Sequence, residues 1–410
     1  MTEQTEPQLS RRGVLIGGAA AGLAGAGIAV GIADAVRNGG DGAHSASSPS
    51  PEAALALGES TIPFYGEHQA GIVTEPQAHA TFIALDLNQG VGRDGVRRLM
   101  RILTDDAARM TQGRTALADM EAELNYVPAN LTITFGFGPG LVAAVGGSGP
   151  DWLQQLPAFS IDRLEPQWSE GDLLIKVASD DALTVAHTSR MMLKDARSFA
   201  TPRWSQAGFR RAAGALEQGS TMRNMFGQVD GTVNPASTAQ FDEMVWSQGG
   251  WMTGGTSLVI RRIHMNLDKW DRLDRSGREQ TIGRNLANGA PLTGVNETDE
   301  PDFEAKSSNG FTTIADFAHI RRARGDGSAP QILRQPYNYA EAPTVDSVSD
   351  AGQIFTAYQA DMLAQFLPIQ QRLDQLDLLN QWTTPIGSAV FALPPGCEKG
   401  GYIGETLLEG

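Results

Sequence analysis

The 410-residue chain is 41% hydrophobic and 19% charged, an ordinary globular composition that can bury a large core and suggests about two to three domains. Its formal net charge of −15 excludes nucleic acid as a partner, because phosphate binding needs a basic face. The one cysteine, Cys397, excludes an internal disulfide and any metal or iron–sulfur site built from cysteines.

Residues 1–58 are predicted to be a signal and linker that precede the folded part. Arg11 and Arg12 stand before an uncharged run, 13–33, whose seven glycines keep its hydrophobicity low. Twin arginines before a weak apolar core are typical of a Tat export signal, and residues 33–35 offer a small-x-small cleavage site, with 43–46 as a second choice. The alternative, an uncleaved anchor helix, stays open. Because the Tat machinery exports folded proteins, the signal predicts an extracellular, periplasmic or envelope-associated protein that receives any cofactor before export.

The first half of the chain predicts a strand–helix–strand–strand–helix–strand order. Four segments carry strand patterns and two carry apolar residues at helical spacing. The strands are expected over 79–87, 130–138, 172–179 and 201–209, and the helices over 95–113 and 182–199. This order is the ferredoxin-like pattern.

The second half repeats the pattern more loosely. Strands are expected over 256–267, 352–360 and 387–395, and helices over 268–283 and 363–382. A long irregular stretch, 284–350, lies between them, and such stretches tend to be functional. The sequence therefore predicts an α+β fold of two ferredoxin-like domains with antiparallel sheets, at 59–215 and 216–410, with a site where the irregular stretch meets Asp230.

Asp230 stands in "MFGQVDGTVNP" (225–235), where Asp-Gly by itself is typical of a surface hairpin turn. The irregular stretch contains His319, followed fifteen residues later by Arg334. One neutral imidazole suffices as an axial haem ligand, whereas a carboxylate and a guanidinium suit peroxide chemistry. No zinc-protease motif, nucleophile elbow or phosphate-binding loop is present, so hydrolases, kinases and two-metal enzymes lack support.

Several segments resemble the dye-decolourising peroxidase family, in the order of that family and over about residues 60–396. The segments are "IPFYGEHQAGI" (62–72), "RNMFGQVDGTVNP" (223–235), "GGWMTGGTSLVIRRI" (249–263), "FAHIRRA" (317–323), "ILRQPYNY" (332–339), "AGQIFTAYQ" (351–359) and "GSAVFALPPG" (387–396). The resemblance implies haem b, seated mainly in the second ferredoxin-like domain.

The resemblance also assigns site residues. It implies that His319 is the proximal iron ligand, that Asp230 is the distal acid and base, and that Arg334 is the distal arginine. Six further contacts follow from it. The haem-binding set beyond the iron ligand comprises Gly231, Thr232 and Val233 at the haem edge, Arg334 near a propionate, and Ile354 and Phe355 walling the distal pocket. Asp326 departs from the family pattern, because an expected positive propionate contact becomes acidic.

Asp377 is interpreted as a charge on a helix surface, with an acid that hydrogen-bonds His319 as the alternative. Four aromatic residues are interpreted as buried core residues, with electron relay to bulky donors as the alternative. They are Trp251, Tyr337, Tyr339 and Trp382.

The sequence thus predicts an exported haem peroxidase that uses hydrogen peroxide to oxidise phenols or anthraquinone-type dyes in one-electron steps through a ferryl state, with activity favoured at acidic pH. One rival is a haem-handling protein for iron recovery or transport, which resembles a deferrochelatase. Another is a redox partner for an exported metalloprotein, docking through the acidic surface. Small aromatic donors, the Tat machinery, a second copy of the chain and such a redox partner are the expected partners.

Overall fold

The computed structural model describes residues 57–217, 219–324, 331–343 and 345–410. The predicted export signal lies outside these residues. No helix in the described ranges is both long enough and apolar enough to cross a membrane.

The first half forms a four-stranded antiparallel sheet with two covering helices, as predicted. The elements are β1 (His79–Leu87), α1 (Arg93–Met110), β2 (Thr132–Phe137), α2 (Pro139–Ala144), β3 (Leu173–Ser179), α3 (Ala182–Ala196) and β4 (Ala200–Phe209). Strand β1 pairs with β3 on one side and with β4 on the other, and β3 also pairs with β2. The order β2-β3-β1-β4 is that of a ferredoxin-like sheet.

The second half builds the same sheet order from a longer chain. After α4 (Thr238–Met244), the elements are β5 (Thr256–Met265), α5 (Leu267–Trp270), α6 (Arg275–Ile282), α7 (His319–Arg324), β6 (Leu333–Arg334), β7 (Tyr337–Glu341), β8 (Asp350–Gln359), α8 (Phe366–Leu376), β9 (Thr383–Leu393) and α9 (Glu405–Leu408). Strand β5 lies between β8 and β9, and β6 and β7 pair in succession along the other edge of β8. The predicted α+β fold with ferredoxin-like halves is confirmed.

The two sheets join into one closed, barrel-like sheet. Each junction rests on one aligned pair: Phe137 of β2 with Ala392 of β9, and Phe209 of β4 with Asn338 of β7. Closure leaves no free sheet edge at these strands, which removes sites for unwanted strand pairing. The predicted domain boundary near residue 215 stays a prediction.

The core has two main layers because most strands are buried on both faces. One apolar cluster fills the space between the first sheet and its helices, and includes Leu103, Phe135 and Ile175. A second cluster fills the space between the two sheets, and includes Phe82, Tyr337 and Ile354. The outer face of β5 and β8 is covered by α7, α8 and the long connection, and this arrangement places the functional site.

Two helix predictions in the second half were wrong in extent. The helix predicted over 268–283 is interrupted after Trp270, because the side chain of Asp274 accepts a hydrogen bond from the Gly277 amide and starts a new helix, α6. The helix predicted over 363–382 ends at Leu376. There the side chain of Asp377 caps a short 3-10 turn, Leu378–Gln381.

Candidate functional site

A cavity lies between the outer face of β5 and β8 and the helices α7 and α8. The cavity has a volume of about 270 Å³. Its walls are largely apolar, with Phe355 from β8, Ile320 from α7 and Leu373 from α8. Its polar groups include the loop that carries Asp230, His319 at the start of α7, Gln353 of β8 and several arginines. A few convergent polar groups in an apolar cavity are typical of a cofactor or substrate site.

His319 is the first residue of α7 and lines the cavity. Its Nδ1 lies 2.6 Å from Oδ2 of Asp377, whose side chain is 3% exposed. The carboxylate is itself oriented, because its Oδ1 accepts a hydrogen bond from the Leu379 amide at 2.9 Å. Since a carboxylate can only accept, Nδ1 of His319 carries the proton. Nε2 makes no hydrogen bond to any described residue, so its lone pair is available to a ligand in the cavity.

The electrostatic environment of His319 is set by two opposing effects. Burial lowers the pKa of His319, but the Asp377 carboxylate more than offsets burial, so the pKa lies above its ordinary value. The interpretation of Asp377 as a charge on a helix surface is therefore wrong. A histidine that donates Nδ1–H to a buried carboxylate is the usual arrangement of a metal-ligating imidazole.

Asp230 and Arg334 meet on another part of the cavity wall. Nη1 of Arg334 donates to Oδ1 of Asp230 at 2.9 Å. The other carboxylate oxygen, Oδ2, accepts from Nε2 of Gln353 at 2.8 Å. Both oxygens of Asp230 are therefore held by donors from the sheet.

The loop that carries Asp230 is fixed at both ends. Before it, a tight turn closes at Gly227, which has a φ of 78°, and the Asp230 amide donates to the Met222 carbonyl at 2.9 Å. After it, Asn234 makes two hydrogen bonds to the backbone of Arg334, at 2.6 and 3.0 Å. The hairpin turn thus precedes Asp230, and the Asp-Gly pair itself lies at the cavity.

Gly231 has a φ of 129°, a backbone conformation that other residues adopt only with strain. A β-carbon there would meet its nearest neighbour, Cγ2 of Thr221, at 3.5 Å, an ordinary contact. Within the protein, the need for glycine is therefore conformational, and the surface beside it stays open to the cavity.

Seven of the eight site residues predicted from the sequence line this cavity. They are Asp230, Gly231, Thr232, Val233, His319, Arg334 and Phe355. The expectation for Ile354 was wrong: its side chain is buried between the two sheets, in the cluster with Tyr337. Successive side chains of a strand point to opposite faces, so Phe355 and Gln353 share the cavity face and Ile354 cannot.

Sequence reasoning missed Gln353, Arg284 and Arg324, and for Gln353 a signal existed. The signal was available, because Phe355 was expected at the cavity and a strand has a period of two.

The aromatic residues considered for electron relay lie at different places. Tyr337 and Tyr339 are buried between the sheets, and Trp251 packs near Phe137. The partly buried Trp382 lies edge-on to Trp270, with ring centroids 5.2 Å apart. Asp326 lies outside the described residues.

The residues around the cavity fit a flat, iron-carrying macrocycle with acidic substituents. No group of three or more histidine, cysteine or acidic side chains within the described residues could hold a bare metal ion. One histidine with a free nitrogen is enough for an iron already held by a macrocycle. In the described part of the chain, four arginines line the same cavity. Arg261 is paired with Asp162, and the guanidinium groups of Arg284, Arg324 and Arg334 suit carboxylate substituents. Burial lowers the pKa of Arg284 below its ordinary value, and Arg324 and Arg334 act in the same direction.

Comparison with known proteins gives a consistent result. The family model described as Dyp-type peroxidase, N-terminal, matches residues 69–210, and that described as Dyp-type peroxidase, C-terminal, matches residues 221–398. A dye-decolorizing peroxidase of Thermobifida fusca (strain YX) is 37% identical over 420 residues, covering 98% of this chain and 97% of the relative. A deferrochelatase of Escherichia coli (strain K12) is 33% identical over 371 residues, covering 84% of this chain and 87% of the relative.

Among solved structures, a DyP-type peroxidase from Cellulomonas bogoriensis superposes with a TM-score of 0.84 at 51% identity. The match covers 86% of this chain and 99% of that one.

Proposed function

The chain belongs to the Dyp-type peroxidase family, and we propose that it is a haem b enzyme that uses hydrogen peroxide to oxidise phenolic or anthraquinone-type donors in one-electron steps. The observation that carries the proposal is the convergence of three groups on one cavity. His319 offers a free imidazole nitrogen there, and the pair of Asp230 and Arg334 lines the same space.

In this proposal His319 would hold the iron through Nε2, and Asp377 keeps the imidazole in the required tautomer and orientation. Arg284, Arg324 and Arg334 are the candidates for the carboxylate substituents. Bound haem would supply the redox chemistry, because it can give peroxide the two electrons that cleavage of the O–O bond requires.

Asp230 moves the proton. A carboxylate at this place can take a proton from one oxygen of hydrogen peroxide and deliver it to the other oxygen, which then leaves as water. The guanidinium of Arg334 stays charged throughout and stabilises negative charge that develops as the O–O bond breaks. The hydrogen bond of 2.9 Å between the two side chains supports this pairing of roles.

The test is the visible spectrum of the purified protein before and after one equivalent of hydrogen peroxide at acidic pH. We expect a ferric haem spectrum that changes within seconds. Asp230→Asn should slow the change by about 10² to 10⁴-fold, the usual contribution of a general acid–base group. A haem spectrum that does not change when peroxide is added would overturn the peroxidase proposal. Protein that contains no haem after expression with ample iron would overturn the proposed haem site as well.

A second function is favoured by the similarity to a deferrochelatase. In this case the cavity would hold haem as cargo for iron recovery or transport. Release of free protoporphyrin without peroxide would support it, whereas fast peroxide-dependent turnover would support the peroxidase. A docking role for the acidic surface with a basic exported redox partner would show as association that weakens with salt.

We also propose export through the Tat machinery, on the evidence of Arg11 and Arg12 before a weakly apolar run. Replacing both arginines with lysine should abolish export while leaving haem loading in the cytoplasm unchanged. The mass of the exported protein shows whether the signal is cleaved. Export of the double variant at the level of the original chain would contradict the proposal.

A further inference from the structure

Gln353 places an amide at the cavity wall beside Phe355, where the resemblance had implied the aliphatic Ile354. It lies in β8, is 4% exposed, and faces the cavity two residues before Phe355. Its backbone is fixed on both sides, because β8 pairs with β5 through Ile263 and with β7 through Asn338. A side chain on such a central strand is held more precisely than one on a loop.

The amide supplies the second hydrogen bond to the Asp230 carboxylate. Arg334 occupies Oδ1 and Gln353 occupies Oδ2, with donor–acceptor distances of 2.9 and 2.8 Å. The two donors come from adjacent strands, β6 and β8, so the plane of the carboxylate is fixed from two directions. Without the amide, Oδ2 would have no hydrogen bond to any described residue.

The two partners of Asp230 differ in what they can do after Asp230 gains a proton. A guanidinium has only donors, so Oδ1 beside Arg334 is a poor place for the proton. An amide carries a donor and an acceptor on one group, and its terminal torsion is broad. Oε1 of Gln353 makes no hydrogen bond within the described part of the chain. After a rotation of about 180° about its terminal torsion, the same amide can accept a hydrogen bond from protonated Oδ2 through Oε1.

We propose that Gln353 is a positioning residue that holds the Asp230 carboxylate for proton transfer and directs the transferred proton to Oδ2. The proposal rests on the function proposed above. In the resting state Nε2 of Gln353 donates to Oδ2. After the proton has moved from peroxide to Oδ2, the Oδ2–H group donates a hydrogen bond to Oε1 of the turned amide. When Oδ2 gives the proton to the departing oxygen, the first arrangement returns. No electron moves in this step, and the proton is conserved.

The test uses the haem-loaded protein and cyanide as a probe. Hydrogen cyanide binds ferric haem as the anion, so it must first give its proton to a base in the cavity, and its association rate reports on that base without turnover. We compare the original protein with Gln353→Met, which keeps the length of the side chain and removes the amide. Gln371→Met is the matched control, because Gln371 is exposed on α8 and outside the cavity lining.

We expect Gln353→Met to slow cyanide association about tenfold, the effect of losing one hydrogen bond to a charged group. Gln371→Met should have no effect. In an Asp230→Ala background, Gln353→Met should cause no further loss, because a residue that acts through Asp230 has nothing left to position. An equal slowing in both backgrounds, or no slowing in either, would overturn the proposal.

The outcomes separate this proposal from the proposed function. If Asp230→Ala slows cyanide association and Gln353→Met does not, Gln353 has no positioning role and Asp230 keeps its own. If neither variant changes the rate of cyanide association, the assignment of Asp230 as the base fails. Should Gln353→Met not load haem, a crystal structure of the unmodified haem-bound protein decides the question. An amide nitrogen beyond hydrogen-bond distance of Asp230 would overturn the proposal, and one within that distance would support it.

Discussion

The carboxylate of Asp377 orients the proposed iron ligand, His319. It joins the end of α8 to the start of α7, through a 2.6 Å contact to Nδ1 of His319. The backbone reinforces this link, because the Leu378 amide donates to the Phe317 carbonyl at 3.0 Å. The imidazole is therefore held by both a side chain and the neighbouring main chain.

Asp377→Asn should weaken haem binding by about 10 to 100-fold, the usual effect of removing a partner that orients a metal ligand. An amide can still bond to Nδ1 of His319, but it carries no charge and fits either tautomer. The measurement is the rate of haem transfer to an excess of a haem-scavenging apoprotein. Asp374→Asn is the control, because Asp374 lies on the same helix and bonds to Ser160 and the Ile161 amide instead. Equal rates of loss from the two variants would contradict the role of Asp377.

The sequence indicated Asp230, His319 and Arg334 because their types and order match a family pattern. It could not decide whether Asp377 faces solvent or His319, since a charged residue near a helix end is compatible with both. What decides it is the 3-10 turn after α8, which buries the carboxylate. Such a turn depends on packing between two distant segments and leaves no periodic pattern in the sequence.

At the scale of elements, the clearest lesson comes from β8. The sequence predicted this strand within two residues, yet both Ile354 and Phe355 were expected at the cavity. Applying the two-residue period would have rejected that pair and chosen Gln353 with Phe355. Strand β7, by contrast, was missed, because it has only five residues, and its first three are all buried and show no alternation.

The alternation along β8 predicts opposite effects for two neighbouring substitutions. Ile354→Ala should lower the stability of the protein by about 2 to 5 kcal/mol, because it leaves a hole between the two sheets. It should leave the haem spectrum unchanged. Phe355→Ala should instead alter the haem spectrum, because it removes part of the cavity wall. Thermal melting and the visible spectrum of each variant provide the measurements. A changed spectrum in Ile354→Ala with normal melting would contradict the assigned faces.

At the scale of the whole molecule, closure of the sheet could not be foreseen. The pairs that join the two halves, Phe137 with Ala392 and Phe209 with Asn338, connect strands far apart in the chain. Local patterns reveal each strand but not its distant partner. Closure also creates an interior between the two sheets, and a lysine, Lys176, is buried there.

Lys176 reaches across that interior. Its Nζ is hydrogen-bonded to the Gly71 carbonyl at 2.8 Å, to the Tyr358 hydroxyl at 2.9 Å and to Oε1 of Gln335 at 3.3 Å. Burial, with a smaller contribution from Arg210, lowers the pKa of Lys176 to about 7. Lys176 therefore links residues of both sheets, and within this apolar cluster an uncharged amine is less costly than a charged one. The uncharged amine has two N–H donors and one lone pair, so it accepts from the Tyr358 hydroxyl and donates to the other two partners.

This lowered pKa predicts how stability depends on pH. Between about pH 7 and the ordinary lysine value of 10.5, the unfolded chain binds a proton at Lys176 and the folded protein does not. Stability therefore rises with pH in this window, by at most about 1.4 kcal/mol per pH unit. The Tm of the original protein should accordingly rise relative to the Tm of Lys176→Met between pH 7 and 9.5, below the range where the buried tyrosines titrate. Lys399→Met, at an exposed lysine, should show a constant difference. A constant difference for Lys176→Met as well would mean that Lys176 stays charged inside the barrel, with its three hydrogen bonds outweighing burial.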